Sequence, residues 1–376
     1  MEAGMLTGIL GVGVGDASAS PTTALLLSIL QESTGRIATI VFADRLGTSL
    51  EPECKMYRLA ADVFNDAAML LDCLSPALPR GPRVLLLSSS SMLRALCGVA
   101  AGSSKASLSA HFAKWGNLGE LNAKDSSQET VISLLGMLAG SVVVSYVSSP
   151  ISTWTCLVLL LSIHLAMNRA AVRAVTMQSL NRQRANLVTS TLIDQDRIMS
   201  PQEVSMQERI FEWDGVLRWR SSSPFAAARI GLSLRELLAS LAPAHERTGS
   251  IRDTEARLTR LIRLYGQEEF LVWYDAPQRL GHITLKEGAA AESQLKAWVL
   301  VLWTAHRHHA AGADATGAVF ETSLEVHRRT LQELSSRWSD YSSRLRSAGW
   351  DLDIASLETR PGSRVRLPAR TGSSRQ

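Results

Sequence analysis

Residues 130–168 form 39 consecutive positions without a single Asp, Glu, Lys or Arg. Two apolar pieces, 131–147 and 151–167, lie inside this stretch and are separated by Ser148-Ser149-Pro150. Each would make about 25 Å of helix, near the lower limit for crossing a ~30 Å hydrocarbon layer. Two serines followed by a proline predict a turn and a new helix start. A buried helical hairpin in a soluble bundle would have the same pattern, so the flanks matter. Lys105, Lys114 and Lys124 precede the stretch, and Arg169, Arg173, Arg182 and Arg184 follow it with no acid before Asp194. The uncharged turn between basic flanks predicts a membrane hairpin with both ends on the same, positively flanked side.

Before the hairpin, the apolar segments 22–30, 37–43, 60–74 and 84–101 are shorter or interrupted by Glu32, Arg36, Asp62, Asp66 or Arg94. Small residues such as Gly98, Ala100, Ala101 and Gly102 predict close helix packing. Pro76, Pro79, Gly81 and Pro82 predict a loop. The string from Gly11 to Ser20 matches that from Gly98 to Ser107 at five of ten places, a pattern consistent with duplicated, Gly-broken helices.

Beyond Asp194 the periodicity changes. Residues 194–223 are polar and read as a linker, while Leu232, Leu234, Leu237, Leu238 and Leu241 mark one helix face. Phe270-Leu-Val-Trp-Tyr274 and His282-Ile-Thr-Leu285 predict two strands about a turn at 278–281. Helices at 291–309 and about 319–347 follow, then extended chain at 349–353. The expected fold is therefore mainly α: a helical membrane-embedded domain over 1–190, a linker over 191–230, a small α+β domain of β-β-α-α-β order over 231–358, and a disordered tail over 359–376.

Composition agrees with this division. The chain has 376 residues, 46% hydrophobic and 20% charged, which excludes a disordered or disulfide-framed chain. Its net charge of +4 is uneven, about −2 up to Asn168 and +6 after it. The later excess is arginine spread along helical patterns, without the blocks or interleaved aromatics of a nucleic-acid surface. Cys54, Cys73, Cys97 and Cys156 show no C-x-x-C spacing and read as unpaired thiols. No cleavable targeting peptide is visible at the start.

Candidate chemistry lies in the acids. Asp62 and Asp66 are four apart, as are Asp125 and Glu129, so each pair shares a helix face. Carboxylates in an apolar domain are costly unless paired or hydrated. Asp62, Asn65, Asp66, Lys124, Asp125, Gln128 and Glu129 are therefore expected to converge on one polar ligand site, with Lys124 or Arg58 neutralising one acid of each pair and His164 as a hydrogen-bonding companion. The alternative is that they lie separately at the headgroup level. Gly11-Val-Gly-Val-Gly-Asp16 lacks the Lys-Ser/Thr of a phosphate loop and reads as helix packing. His306-Arg-His-His309 offers two imidazoles at i and i+3 but no third metal ligand, so no metal is expected. G-x-S-x-G is absent, and no catalytic residue is assigned.

Several strings resemble the root UVB sensitive family. They are Gly11-Val-Gly-Val-Gly-Asp16, Ala60-Ala-Asp-Val-Phe-Asn-Asp-Ala-Ala68, Ala123-Lys-Asp-Ser-Ser-Gln-Glu-Thr130, Ala171-Val-Arg-Ala-Val175 and Leu180-Asn-Arg-Gln-Arg184. Leu285-Lys-Glu-Gly288 and Ala348-Gly-Trp350 extend the likeness more weakly. The family's Asn-Tyr after the second apolar segment is Asn168-Arg169 here, and its further segment before the glycine string is expected to be missing. The resemblance implies membrane association, partnership with paralogues or itself, and links to light response, auxin transport and vitamin B6 balance. The expected partners are membrane lipid, family members and a small polar solute, with no nucleic acid and no cofactor. Pyridoxal phosphate chemistry would need a Schiff-base lysine beside a phosphate cup, and the six lysines have no such setting. The leading expectation is a non-enzymatic scaffold or small-molecule carrier; the runner-up is a soluble or peripheral enzyme using the paired carboxylates.

Overall fold

The computed structural model describes residues 21–114, 116–241, 254–312 and 320–367. The glycine string at 11–16 and the end of the tail lie outside them. The chain divides into two compact units, Met1–Val175 and Thr176–Gln376.

The first unit is built from helices α1 (Pro21–Leu46), α2 (Cys54–Leu74), α3 (Arg80–Phe112), α4 (Leu118–Tyr146) and α5 (Pro150–Ala174). The segments 22–30 and 37–43 join in α1, because Glu32 and Arg36 pair along its exposed side at 3.3 Å rather than ending it. The proline-rich loop is a tight corner in which the Arg83 guanidinium donates to the carbonyls of Ser75, Pro76 and Leu78. Ser149 caps α5 by accepting from the Ser152 amide at 3.1 Å, with Pro150 in the first turn.

Small residues bring α1, α2 and α3 together. Ser90 Oγ donates to the Ala68 carbonyl at 3.1 Å and Ser91 Oγ to that of Gln31 at 2.9 Å. Gly35 eases the approach of α1 to α3, since a Cβ there would lie 3.0 Å from Ser91 Oγ. Leu50, Tyr57, Ala61 and Ala100 form a small apolar cluster. The expectation for Gly98 and Gly102 is corrected: a Cβ at either would meet nothing within 4 Å, and the close packing falls to Ala100 and the serines.

In the second unit, helices α6 (Arg182–Gln195) and α7 (Pro201–Gln207) precede strands β1 (Val216–Leu217) and β2 (Ala226–Ile230). Then come α8 (Leu234–Leu241), α9 (Thr254–Leu264), β3 (Phe270–Asp275), β4 (Leu280–Lys286), α10 (Ala291–Ala310), α11 (Phe320–Ser347) and β5 (Arg364–Val365). The sheet order is β1-β2-β4-β3, with β5 also pairing β4. β3 and β4 form the expected hairpin, while β2 and β5 run parallel to β4. Gly281 lets α10 approach β4, since a Cβ there would lie 2.3 Å from the Val301 side chain.

Two boundaries differ from the sequence expectation. Residues 182–230 are part of the second unit, not the end of a membrane domain followed by a linker. Their polarity is spent internally: Arg184 meets Glu208 at 3.3 Å with both nearly fully buried, and Arg218 meets Glu212 at 2.7 Å. Ser200 and Glu203 form a reciprocal capping box on α7. The last strand is Arg364–Val365, within the expected tail, while Trp350 is buried and donates to the Met199 carbonyl at 2.8 Å.

Candidate functional site

Among the described residues, three helices are long and apolar enough to cross a membrane: Gly81–Phe112, Leu118–Tyr146 and Pro150–Ala174. α4 buries none of its residues, so Ile132, Leu135, Leu138, Val142 and Val144 all face outward. α5 is outward-facing at Ile151, Val158, Leu159, Leu160, Ile163 and Met167. Among its half-buried residues, Leu157, Leu161, His164, Leu165 and Asn168 make a single stripe at helical spacing with the buried Val172. That stripe meets α2.

The register is set by two contacts. Lys55 Nζ donates to the Val175 carbonyl at 2.8 Å, where a cation suits the end of α5. His164 Nδ1 lies 2.9 Å from Asp66 Oδ2. Residue numbers rise on α2 as they fall on α5, so the helices are antiparallel and Asn168 falls at the level of Asp62. Asn168 Nδ2 donates to the His164 carbonyl at 3.0 Å. On α2, Arg58 donates to Asp62 Oδ1 at 2.7 Å, and the Asn65 amide reaches the Met69 sulfur at 3.6 Å. Cys97 of α3 lies within electrostatic reach of both Asp62 and Asp66. Just beyond, Arg94 of α3 pairs with Asp72 of α2. The result is a polar seam within a helical unit whose α4 and α5 turn large apolar side chains outward.

Asp62 and Asp66 are buried, at 8% and 4% exposure. Asp62 Oδ2 and Asp66 Oδ1 are each enclosed without a hydrogen-bond partner.

The other expected site residues lie elsewhere. Asp125 and Glu129, on the first half of α4, are exposed and share Lys105 of α3, each at 2.7 Å. Lys124 pairs with Glu120 of its own helix at 2.5 Å, and Gln128 is exposed. Cys97 and Lys105 are separated by about two turns of α3, roughly 12 Å. Among the described residues, no hydrogen bond or ion pair joins the two acid sets. Asp62, Asn65 and Asp66 therefore share a place with Arg58 and His164, while Lys105 ties Asp125 and Glu129 to α3. Lys105 has a signal in the sequence, a lone cation before an apolar run with two acids one turn apart downstream. The choice of His164 over the other basic companions depends on the α2–α5 register, which no spacing reveals.

The resemblance strings have structural duties as well. Asn181 caps α6 by accepting from the Arg184 amide at 3.0 Å, and Arg182 donates to the Leu357 carbonyl at 2.7 Å. Arg182 also pairs with Asp214 and Thr359. No group of three or more His, Cys, Asp or Glu able to hold a metal occurs among the described residues.

Residues 4–196 match the vitamin B6 photo-protection and homoeostasis domain. The chain belongs to the root UVB sensitive family. It is 40% identical over 204 residues to RUS family member 1 of Dictyostelium discoideum, covering 53% of this chain and 39% of that protein. It is 34% identical over 226 residues to Protein root UVB sensitive 3 of Arabidopsis thaliana, covering 60% and 51%. Protein root UVB sensitive 2, chloroplastic, from the same plant is 23% identical over 294 residues, covering 76% and 60%. The chain thus spans about half or less of the length of its first two root UVB sensitive relatives. No solved structure matches it. None of these three names states a catalytic activity.

Proposed function

We propose that this root UVB sensitive chain is an integral membrane protein whose first unit carries a small polar solute, without catalysis, along the α2–α5 seam. The supporting observation is the inverted surface: α4 and α5 turn large apolar side chains outward, while Asp62 and Asp66 are enclosed. Water would penalise that outer surface, whereas lipid accepts it. Charged groups in a membrane unit face its interior or a hydrated path, as the seam does here. The matched domain's description makes a vitamin-B6-type solute the first candidate cargo. The second unit serves as a water-facing module for family members or a second copy of the chain. The test of membrane integration is alkaline carbonate extraction of membranes from cells expressing the full chain. Retention in the pellet is expected, and quantitative release would overturn the reading.

A further inference from the structure

We infer that the Asp66–His164 pair is a proton-binding site, cycling between empty and singly protonated states; this rests on the carrier reading and supplies it with a coupling ion. The charges along the seam identify the site. From α2 come Arg58, Asp62, Asp66 and Asp72; from α3, Arg94 and Cys97; from α5, His164 and Asn168. Arg58 offsets Asp62 and Arg94 offsets Asp72, which leaves the carboxylate of Asp66 as the uncompensated charge. An isolated charge among apolar helices is expensive, so one bound proton brings the seam to balance. Lys55, the buried cation of α2, sits three turns away at the far end of α5, on the Val175 carbonyl.

The geometry provides a place for that proton and a more exposed partner, His164, to exchange it. Asp66 Oδ1 is enclosed without a partner, an arrangement that is costly for a charged carboxylate and costs less once a bound proton removes the charge. Asp66 Oδ2 meets His164 Nδ1 at 2.9 Å, so the proton can equally sit on the imidazole as a charge-assisted donor to Oδ2. Asp66 is the sealed member, with 5% of its side chain exposed, and His164 is the accessible one at 41%. Imidazole is the side chain whose ordinary titration falls in the physiological range. Asp62 differs because its partner is a guanidinium, which keeps its proton throughout. The step requires only a proton exchanged with water at His164 and its transfer to or from Asp66.

The experiment is a pH titration, from about pH 8 to pH 5 around the ordinary histidine midpoint, of the full chain in lipid nanodiscs with 15N-labelled histidine. H164Q assigns the His164 resonance by its disappearance. The wild type is expected to show one proton shared by the Asp66–His164 pair, and D66N to lose that coupling. D66E should restore most of the effect, and D62N should change it much less. An unchanged His164 transition in folded D66N would overturn the inference, as would an equal effect from D62N. Repeating the titration with sodium or potassium in place of choline separates a proton site from an alkali-cation site. Competition of tenfold or more by either metal ion would overturn the proton assignment. Carbonate extraction keeps the two claims apart: a released protein with an intact coupled transition overturns only the membrane reading. A retained protein with an uncoupled His164 overturns only this one.

Discussion

The two units solve opposite problems with the same residue types. In the second, Trp298, Tyr265, Phe270, Leu271, Ile283 and Leu285 are enclosed in one apolar cluster, and the charges of α11 face outward as the pairs Arg328–Glu325 and Arg329–Glu325. In the first, Lys55, Asp62, Asp66, Ser90 and Ser104 are buried while Leu85, Ile132, Leu138, Val144 and Ile151 are exposed. A chain places its apolar surface according to what surrounds it. The second unit is organised for water, where burying apolar area drives folding. The first has its apolar side chains outward and its helices joined by small residues, hydrogen bonds and ion pairs, the arrangement that the proposed membrane setting would favour.

The sharpest way to break this contrast is to separate the units. A fragment beginning at Thr176 should be soluble and folded without detergent, and the preceding helices should not. A fragment that aggregates unless detergent is present would show that the second unit depends on the first or on lipid. Next in size is truncation of Trp298, fully buried with its indole donating to Asn186 Oδ1 at 2.9 Å. W298A should destabilise the second unit by about 3–5 kcal/mol in denaturant melts, while carbonate retention of the full chain stays unchanged. A simultaneous loss of membrane retention would mean that the units are coupled.

A smaller effect concerns pH. Burial, followed by the charge of Arg229, holds His282 down at about 4, and burial, followed by His308, holds His327 at about 3. His327 Nε2 accepts the Tyr274 amide at 3.1 Å, so its neutral form is built into the fold. Both folded values lie below the unfolded one of about 6.5, so the unfolded chain binds more protons. Stability is therefore full above about pH 6.5 and declines as the pH falls toward 4, by up to ~3 kcal/mol for His282. H282N should flatten that decline in urea midpoints of the second unit between about pH 7 and pH 4. An equally steep decline in H282N would assign it to other groups.

How much of this was legible depends on which interactions a segment uses. The strands at 270–274 and 282–285 and the helices after them follow from periodicity, and the structure gives Phe270–Asp275, Leu280–Lys286, Ala291–Ala310 and Phe320–Ser347. Residues 191–230 were unreadable for a physical reason: Glu203, Glu208, Glu212 and Arg218 resemble a solvated linker until their partners are known. The seam was half legible. Asp62 and Asp66 at i and i+4 declare a shared face, but a carboxylate's partner comes from another helix, and local spacing carries no information about that.

The sequence alone determined the mainly α class, the two uncharged helical stretches joined at Pro150 and the family strings, because each rests on local composition and on periods of 3.6 or 2. Only the tertiary structure decided that Lys105 would take Asp125 and Glu129 while His164 took Asp66. Those pairings depend on the order, direction and register of packed helices, which are properties of the whole unit rather than of any segment within it.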